Sequence, residues 1–504
     1  MINEKPATRV VVVGGGIAGL VVGYECARPG FDVVVLEKAA QVGGSVAPIE
    51  CGGLVLDAGA ESFATRGGYV QTLIDELGLS DDVVEPNPSG AWVRYGRSSV
   101  PLPKSGLLGI PSSPLAADVI AALGWKGALR AYCDRLLPVL TVGAEKKLGA
   151  LVRKRMGQAV LDRLVAPVVT GVYSADPDDL DIEVVAPGLN AALTRAGSLS
   201  GAVSQLRSSA TPGSAVRGIS GGMWRLAPRL ASVLEERGAL IRTGVTVTAI
   251  EPWTPDDDGG EQQPEGSPSS SSDDSGSSLW NVRTSDGSLF AADVVVVAVP
   301  AEAALPLLGG ADPRLEQLTE LSWPPSSDVE IVTVVSSDSR LSTAPRGTGI
   351  LVADKGDSGV AAKALTHSSA KWPWLSEYAG HDQHVVRLSY GRAGQRPTTQ
   401  SLSEAQLRSR VVQDAGALLN VPLAENTLID LARSRWSYPA SHATVGQRAR
   451  IDRVRECVKE CAGLEVTGSW LAGTGLASVI PDARRVAQSV RGLRWKTLIE
   501  ATEG

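Results

Sequence analysis

The sequence has few of the features that mark membrane, nucleic-acid or metal-binding proteins. No apolar run in its 504 residues approaches the roughly 18 residues that a membrane-spanning helix needs. Acidic side chains outnumber basic ones, 55 against 48, so the formal net charge of −7 gives no electrostatic reason to bind nucleic acid or an anionic membrane. With four histidines in the whole chain, we predict no metal site.

Cysteine is also scarce, and its distribution argues against a disulfide framework. The five cysteines are scattered and odd in number, which is typical of a reducing compartment. Cys457 and Cys461 lie one helical turn apart, but no histidine is near them in sequence, so they are interpreted as structural thiols. The polar segment Met1–Arg9 lacks the apolar core of a secretory signal. A cytoplasmic location is therefore expected.

A glycine-rich turn near the start of the sequence carries the first chemical signal. The β-branched run Arg9–Val13 leads into Gly14-Gly15-Gly16-Ile17-Ala18-Gly19, an apolar helix follows, and Phe31–Leu36 reads as a second buried strand. In such a βαβ unit the glycines permit a tight turn, close approach of a pyrophosphate and close helix packing. The helix N-terminus then faces the phosphates. This pattern predicts a dinucleotide site.

The residues after the second strand indicate which dinucleotide is bound. Glu37, about 20 residues beyond the glycine turn, is placed to accept the ribose hydroxyls of an adenosine. Further glycines occur at Gly43-Gly44, at Gly52–Ala60 and, near the other end of the sequence, at Leu471–Leu476 before a helix. An extended cofactor needs such additional glycine-lined passages, and a helix N-terminus stabilises negative charge on a reduced flavin. FAD is therefore predicted rather than NAD.

These patterns predict an α/β fold made of three parts: a Rossmann-like FAD-binding domain, a mixed-sheet substrate domain and a helical insertion domain. The FAD-binding domain is discontinuous and comprises residues 1–95, 215–301 and 462–504. Residues 96–214 form a largely helical domain, and residues 302–461 form the substrate-binding domain. Residues 254–278 are dominated by Asp, Glu, Ser, Gly, Pro and Gln, and we predict that they form a disordered acidic insertion.

Several stretches together resemble one enzyme superfamily. Val11–Leu20, Glu37–Gly44, Asp57–Phe63, Gly221-Gly222-Met223-Trp224 and Gly468–Ile480 are similar to the amine oxidase/protoporphyrinogen oxidase superfamily of flavoproteins. These glycine motifs are specific only to the superfamily.

Two further stretches narrow the resemblance. Pro167–Pro177 and Lys363–Trp372 are similar to the coproporphyrinogen III oxidases of Gram-positive bacteria. The resemblance covers nearly the whole chain outside residues 254–278.

The resemblance implies a set of cofactor-binding residues. Val247 would meet the adenine through its backbone, Trp436 is included beside the flavin, and Arg66 is the residue expected to bind a substrate propionate. Ser45 departs from the basic or bulky residue that usually follows the Gly-Gly pair, and the segments 435–447 and 480–484 also depart from the family pattern. The implied cofactor contacts are Gly14, Gly15, Gly16, Ile17, Ala18, Gly19, Glu37, Lys38, Gly44, Ser45, Gly59, Ala60, Glu61, Ser62, Val247, Trp436, Thr474, Gly475 and Leu476.

The resemblance also implies a reaction. A porphyrinogen loses six electrons and six protons in three two-electron steps, each transferring a hydride from a meso carbon to the flavin and releasing a pyrrole proton. Molecular oxygen then reoxidises the flavin and yields hydrogen peroxide, in a step of heme biosynthesis. The flavin performs the chemistry, so no catalytic side chain is assigned. The expected partners are the porphyrinogen and oxygen, and a ferrochelatase is left open.

Three alternative functions remain open from the residues alone. Protoporphyrinogen IX could be the substrate instead of coproporphyrinogen III. A flavin amine oxidase would share every glycine motif, and Trp436 and Tyr438 are compatible with an aromatic cage for an amine. A non-catalytic flavoprotein would keep the fold without turnover. His442 is interpreted as a surface or packing residue rather than a base.

Overall fold

A computed structural model of the protein describes residues 7–138, 145–173, 175–208, 215–253, 279–321, 323, 326–353, 359–392, 395–438 and 442–503. Residues 254–278, the predicted acidic insertion, lie outside this set. The first elements are β1 Thr8–Val13, α1 Ile17–Cys26, β2 Phe31–Leu36, β3 Pro48–Cys51, β4 Leu54–Asp57, β5 Phe63–Ala64, α2 Tyr69–Glu76, β6 Val83–Val84, β7 Ala91–Tyr95, β8 Ser98–Pro101, β9 Gly106–Leu107 and β10 Ile110–Pro111.

Helices predominate in the next part of the chain, and the remainder alternates strands and helices. The helical part contains α3 Ala117–Tyr132, α4 Leu148–Met156, α5 Gln158–Val160, α6 Ala166–Tyr173, α7 Ile182–Val185, α8 Leu189–Ala196 and α9 Leu199–Ser208. The remainder contains β11 Val216–Ile219, α10 Leu226–Glu236, β12 Leu240–Arg242, β13 Val247–Pro252, β14 Trp280–Thr284, β15 Leu289–Ala292, β16 Val294–Val297, α11 Ala301–Ala311, β17 Ser327–Ser336, β18 Gly349–Val352, β19 Ala364–His367, α12 Ser368–Lys371, α13 Pro373–Ala379, β20 His384–Tyr390, α14 Glu404–Leu419, β21 Leu428–Tyr438, α15 Gln447–Lys459, β22 Leu464–Val466, α16 Ser469–Ala472 and α17 Leu476–Glu503.

A five-stranded parallel sheet organises the first and last parts of the chain. Its strand order is β12-β2-β1-β16-β22, and β1 pairs along its length with β2 on one side and β16 on the other. Helices α1, α10 and α17 contribute buried residues to the core on one face, and α11 and α15 contribute to the core on the other. A sheet buried on both faces explains why its strands are nearly unbroken runs of valine and leucine. The predicted α/β class is confirmed.

A seven-stranded mixed sheet forms the second large layer, with strand order β21-β17-β20-β19-β18-β7-β8. Helix α14 covers one face through an apolar core that includes Leu407, Val411 and Leu418. Helices α3 to α9 surround a third core between Ile110 and Val203. In the described ranges, no helix is long and apolar enough to cross a membrane.

The contacts move several of the sequence-based boundaries. Strands β7 and β8 belong to the seven-stranded sheet, although the boundary at residue 95 separates them and assigns β7 to the FAD-binding domain. Helices α11 and α15 pack on the parallel sheet, although residues 302–461 were assigned to the substrate domain. In both cases proximity in sequence suggested one layer, whereas strand pairing for β7 and apolar packing for α11 and α15 assign them to the other. The division into three domains otherwise stays a prediction.

The last helix also begins earlier than its sequence suggests. A helix start after Pro481 would follow from the local rule that proline interrupts helices. The structure begins α17 at Leu476 and keeps Pro481 inside it. Ala477 and Ile480 are buried in the core beside α1, so packing of this first turn outweighs the hydrogen bond that the proline removes. The earlier start brings the helix N-terminus to the cavity described next.

Candidate FAD-binding site

An elongated cavity of about 550 Å³ lies at the carboxyl ends of the central parallel strands. Its wall includes Val13 after β1, Glu37 after β2 and Ala298 after β16. Parallel α/β sheets bind ligands at this edge, where neighbouring strands lead to helices on opposite faces. Val247 and Trp436, both of them predicted cofactor residues, also line the cavity.

The glycine turn lines this cavity, and its glycines have different roles. Gly14 has φ +108°, a backbone conformation that side chains disfavour. A Cβ at Gly19 would lie 1.9 Å from the carbonyl oxygen of Gly14, so this position allows α1 to pack against β1. A Cβ at Gly16 would meet no protein atom within 4 Å and would project into the cavity. Gly16 thus leaves space for a ligand rather than for the protein itself.

The N-terminus of α1 and a second glycine border the open space next to Gly16. Ile17 and Ala18, the first residues of α1, line the cavity, and backbone N–H groups at a helix N-terminus attract phosphate. Gly44, at φ +59°, faces the same space, and the nearest atom to a Cβ there would be the Gly16 Cα at 3.5 Å. Two backbone segments that approach without side chains fit the pyrophosphate of FAD.

Glu37 lines the cavity and also fixes the glycine turn. Its Oε2 accepts a hydrogen bond from the Gly15 backbone N–H at 2.7 Å, and its Oε1 accepts one from Ala39 at 2.8 Å. The Val245 N–H donates to the Glu37 carbonyl at 2.9 Å, which joins this corner to the predicted adenine end. Glu37 therefore supports the phosphate loop as well as reaching the space expected for the ribose.

We expect Glu37→Ala to lower FAD affinity about ten- to a hundredfold, since hydrogen bonds to a charged group contribute roughly 1.5–3 kcal/mol. FAD dissociation, followed by fluorescence of the released flavin, measures this change. Glu50→Ala removes an exposed carboxylate from β3 and serves as the control. Wild-type affinity in Glu37→Ala would contradict the role assigned to Glu37.

The other end of the cavity combines aromatic, aliphatic and helix-terminal groups. Trp436 lines it, and its Nε1 donates to the carbonyl of Ala58 at 3.2 Å. Thr474 and Leu476, at the N-terminus of α17, lie in the same wall with Val479. This end therefore has the flat apolar surfaces and the helix terminus that suit an isoalloxazine ring.

Arg66 and His442 lie around this end of the cavity. Arg66 Nη2 donates to Ser478 Oγ at 2.9 Å, one residue before the cavity-lining Val479. The His442 ring packs against Gly473, where a Cβ would be 2.6 Å from the ring. Burial, and secondarily the positive charge of Arg66, lowers the pKa of His442. The half-buried His442 is thus a neutral packing residue beside the site, in agreement with its interpretation from the sequence.

Asp57 links two of the glycine motifs identified in the sequence. Its carboxylate accepts hydrogen bonds from the backbone N–H groups of Met223 at 3.1 Å and Trp224 at 2.8 Å. Burial raises the Asp57 pKa to about 6, although these N–H groups and the charge of Arg387 oppose the increase. The Asp57–Phe63 and Gly221–Trp224 segments, distant in sequence, therefore meet behind the cavity.

Glu61 occupies a different environment from the one expected. Its carboxylate is 2.5 Å from Lys371 Nζ and 2.9 Å from Arg387 Nη1, and Arg387 Nη2 donates to the Gly59 carbonyl at 2.7 Å. Burial acts to raise the Glu61 pKa, but the two cations outweigh it and lower the pKa to about 2. Glu61 therefore joins the loop at Gly59 to the seven-stranded sheet instead of lining the cavity. We call Glu61, Lys371 and Arg387 the junction triad.

The structure brings many of the predicted cofactor residues into one wall, but not all of them. Those that line the cavity are Gly14, Gly16, Ile17, Ala18, Glu37, Lys38, Gly44, Ser45, Val247, Trp436, Thr474 and Leu476. Those outside its lining are Gly15, Gly19, Gly59, Ala60, Glu61, Ser62 and Gly475. Several of these serve internal contacts: Ala60 donates to the Ser45 carbonyl at 3.2 Å, and a Cβ on Gly59 would lie 2.2 Å from that oxygen.

Sequence reasoning missed a third wall of the cavity. Ala298, Val299 and Pro300 follow β16, and Gly468, Ser469 and Trp470 follow β22. The four valines of β16 are typical of a buried strand, but no local pattern states that this strand pairs with β1. A strand followed directly by a helix start is the signal that could have indicated this wall.

The sequence profile described as "Flavin containing amine oxidoreductase" matches residues 17–491, and the chain belongs to this family. It is an FAD-dependent oxidase, and the residues around Gly16 and Gly44 fit the cofactor.

Within the family, the chain is similar over almost its whole length to proteins named coproporphyrinogen III oxidase. It is 29% identical over 493 residues to that of Mycobacterium tuberculosis (strain H37Rv), covering 95% of this chain and 96% of the relative. It is 24% identical over 484 residues to that of Bacillus subtilis, covering 94% and 96%. The resemblance identified from the sequence is confirmed.

Solved structures agree with this relationship. A putative protoporphyrinogen oxidase from Exiguobacterium superposes with a TM-score of 0.78 at 26% identity, covering 97% of this chain and 99% of that one. A putrescine oxidase superposes with a TM-score of 0.62 at 13% identity, covering 97% and 100%, and shares the fold.

Proposed function

We propose that the protein oxidises coproporphyrinogen III to coproporphyrin III in heme biosynthesis, with molecular oxygen as the final electron acceptor. Removal of six electrons and six protons from one porphyrinogen reduces three oxygen molecules to three hydrogen peroxide molecules. The observation that carries this proposal is the similarity to coproporphyrinogen III oxidases over about 95% of the chain. Bound FAD supplies the hydride acceptor.

The residues around the flavin end of the cavity support an apolar, anionic substrate. Trp436, Leu476 and Val479 supply apolar surface for a macrocycle. Arg66 is an exposed cation attached to Ser478 beside this surface, and Tyr173 of α6 lies near enough for the Arg66 charge to affect its pKa, which burial raises overall. Arginine pairs well with carboxylates, which supports the proposal that Arg66 binds a propionate at the cavity rim.

The direct test mixes the holoenzyme anaerobically with coproporphyrinogen III, protoporphyrinogen IX and a panel of amines. We expect coproporphyrinogen III to bleach the visible flavin absorbance fastest, and air to restore it with formation of fluorescent coproporphyrin. Flavin that stays oxidised with both porphyrinogens would refute the proposal. Bleaching by an amine alone would instead assign an amine oxidase.

We expect Arg66→Ala to reduce kcat/KM for coproporphyrinogen III at least about tenfold, because one charge-assisted contact contributes roughly 1.5–3 kcal/mol. The loss for protoporphyrinogen IX should be smaller, since that substrate carries two fewer propionates. Porphyrin fluorescence measures both rates. The control is Arg195→Ala, which removes an exposed arginine from α8. An equal loss on both substrates would show that Arg66 does not recognise the additional propionates.

A further inference from the structure

A second cavity, of about 620 Å³, lies at the opposite end of α1 from the FAD-binding site. Its wall is formed by the last turn of α1, the following loop to Phe31, and side chains from α2 and from the end of α10. The ten residues of α1 give a separation of about 15 Å, at 1.5 Å per residue, between this cavity and the phosphate end of the helix. We call it the α1 C-terminal cavity.

Arginine dominates the charge around this cavity. Arg28 and Arg237 line it together with Glu25 and Glu76. From α17, Arg484 pairs with both carboxylates and Arg491 pairs with Glu25. Arg28 also pairs with Glu25, whereas Arg237 lines the cavity without an ion pair to either carboxylate in the described ranges. These four arginines and two glutamates together carry a surplus of two positive charges.

Glu25 is the internal counter-ion of this cluster. Only 8% of the residue is exposed, and its carboxylate pairs with Arg28 at 3.0 Å, Arg484 at 3.2 Å and Arg491 at 2.8 Å. One carboxylate has two oxygens, whereas each guanidinium has five N–H donors. The three guanidinium groups around Glu25 therefore have more N–H donors than its two carboxylate oxygens can accept.

Backbone carbonyl groups accept only some of these additional N–H donors. Arg237 Nη1 donates to the Tyr24 carbonyl at 2.9 Å, and Arg491 Nη1 donates to the Glu25 carbonyl at 2.7 Å. These bonds satisfy the last carbonyls of α1, a usual role for basic side chains at a helix C-terminus. Each uses one nitrogen of its guanidinium, and the Arg237 guanidinium also lies 4.2 Å from the centroid of the Tyr24 ring.

We infer that the α1 C-terminal cavity binds a small organic phosphate, with the phosphate group paired to Arg28 and Arg237. A dianionic phosphate neutralises the surplus of two charges, and its oxygens accept from the planar guanidinium forks. The volume is within the range of small-ligand sites, about 300–1,000 Å³.

The test uses the holoenzyme, in which FAD occupies its own cavity. Isothermal titration with inorganic phosphate and with phenyl phosphate, against potassium chloride at equal ionic strength, should give one saturable site for each phosphate and tighter binding of the ester. Arg28→Ala combined with Arg237→Ala should weaken binding at least tenfold. Arg283→Ala, which removes an exposed arginine paired with Glu251, should not.

Other outcomes refute the inference and leave the proposed oxidase activity untouched. An equal response to chloride, or unchanged phosphate binding in the double variant, would show that the cluster only fastens α1 to α17. Because Arg28 and Arg237 are exposed side chains, the double variant is expected to fold and to retain its flavin. Circular dichroism and the flavin spectrum check this before titration.

Discussion

Replacing Gly19 by alanine is expected to destabilise the protein severely and to abolish FAD retention, whereas Gly16→Ala should affect FAD alone. The Cβ at residue 19 would lie 1.9 Å from the Gly14 carbonyl oxygen, so the backbone of either α1 or the turn must move. Overpacking of this kind costs about 1–3 kcal/mol, and more where backbone atoms collide. Urea unfolding of the apoprotein should reveal the loss.

Gly16 provides the matched comparison within the same turn. Its φ of −69° suits alanine, and the added methyl group meets no protein atom within 4 Å. The Gly16→Ala apoprotein should therefore unfold at the wild-type urea concentration while its FAD affinity falls at least about tenfold, since the methyl group occupies the space of the pyrophosphate. Wild-type FAD affinity in Gly16→Ala would show that the cofactor phosphates do not lie against this turn.

Removing the carboxylate of the junction triad should cause the second large effect. Glu61→Ala leaves Lys371 and Arg387, whose side chains are 17% and 8% exposed, without their counter-charge. Breaking a buried pair by removing one partner costs about 3–5 kcal/mol. Glu251→Ala is the control, because the Arg283–Glu251 side chains are 48% and 44% exposed and an exposed pair contributes at most about 1 kcal/mol. Similar losses in the two variants would contradict the role of the triad.

The same residue predicts a pH dependence of stability. The Glu61 pKa falls from 4.5 in the unfolded chain to about 2 in the folded protein, so ionised Glu61 stabilises the fold above pH 4.5. That contribution, about 3 kcal/mol at 1.36 kcal/mol per pKa unit, is lost as the pH falls from 4.5 to 2. Glu61→Gln should flatten the acid limb of the urea-midpoint profile in this window. An unchanged limb would show that other groups govern acid unfolding.

The sequence predicted the parts of the site that depend on local pattern. The turn at Gly14–Gly19, the strand before Glu37 and the glycines near Thr474 each have a short signature with a physical reason, and Gly14, Glu37 and Thr474 line the same cavity. Glu61 was assigned from the resemblance to the superfamily, and its partners in the structure, Lys371 and Arg387, lie some 300 residues away. No local pattern contains such a pairing.

The sequence did not show which sheet each helix packs against, for the same reason. An amphipathic helix such as α15 shows which face is buried but not which sheet buries it, so its packing on the parallel sheet was missed. Pro481 shows that long-range packing also outweighs local preferences. Proline usually interrupts a helix, but burial of Ile480 keeps α17 continuous through this position. Local chemistry was therefore easier to predict than long-range partners.

The parallel sheet has a consequence for how the protein is made on the ribosome. Its strands come from residues 8–13, 31–36, 240–242, 294–297 and 464–466, so the last three join the sheet long after the first two have been synthesised. Such non-local pairings slow folding, and the exposed edge of β16 invites aggregation until β22 arrives. The wall around Thr474 and Val479 is completed only when the first turns of α17 emerge. Complete cofactor binding must therefore follow synthesis of α17, and a supply of free FAD during expression should raise the yield of native protein.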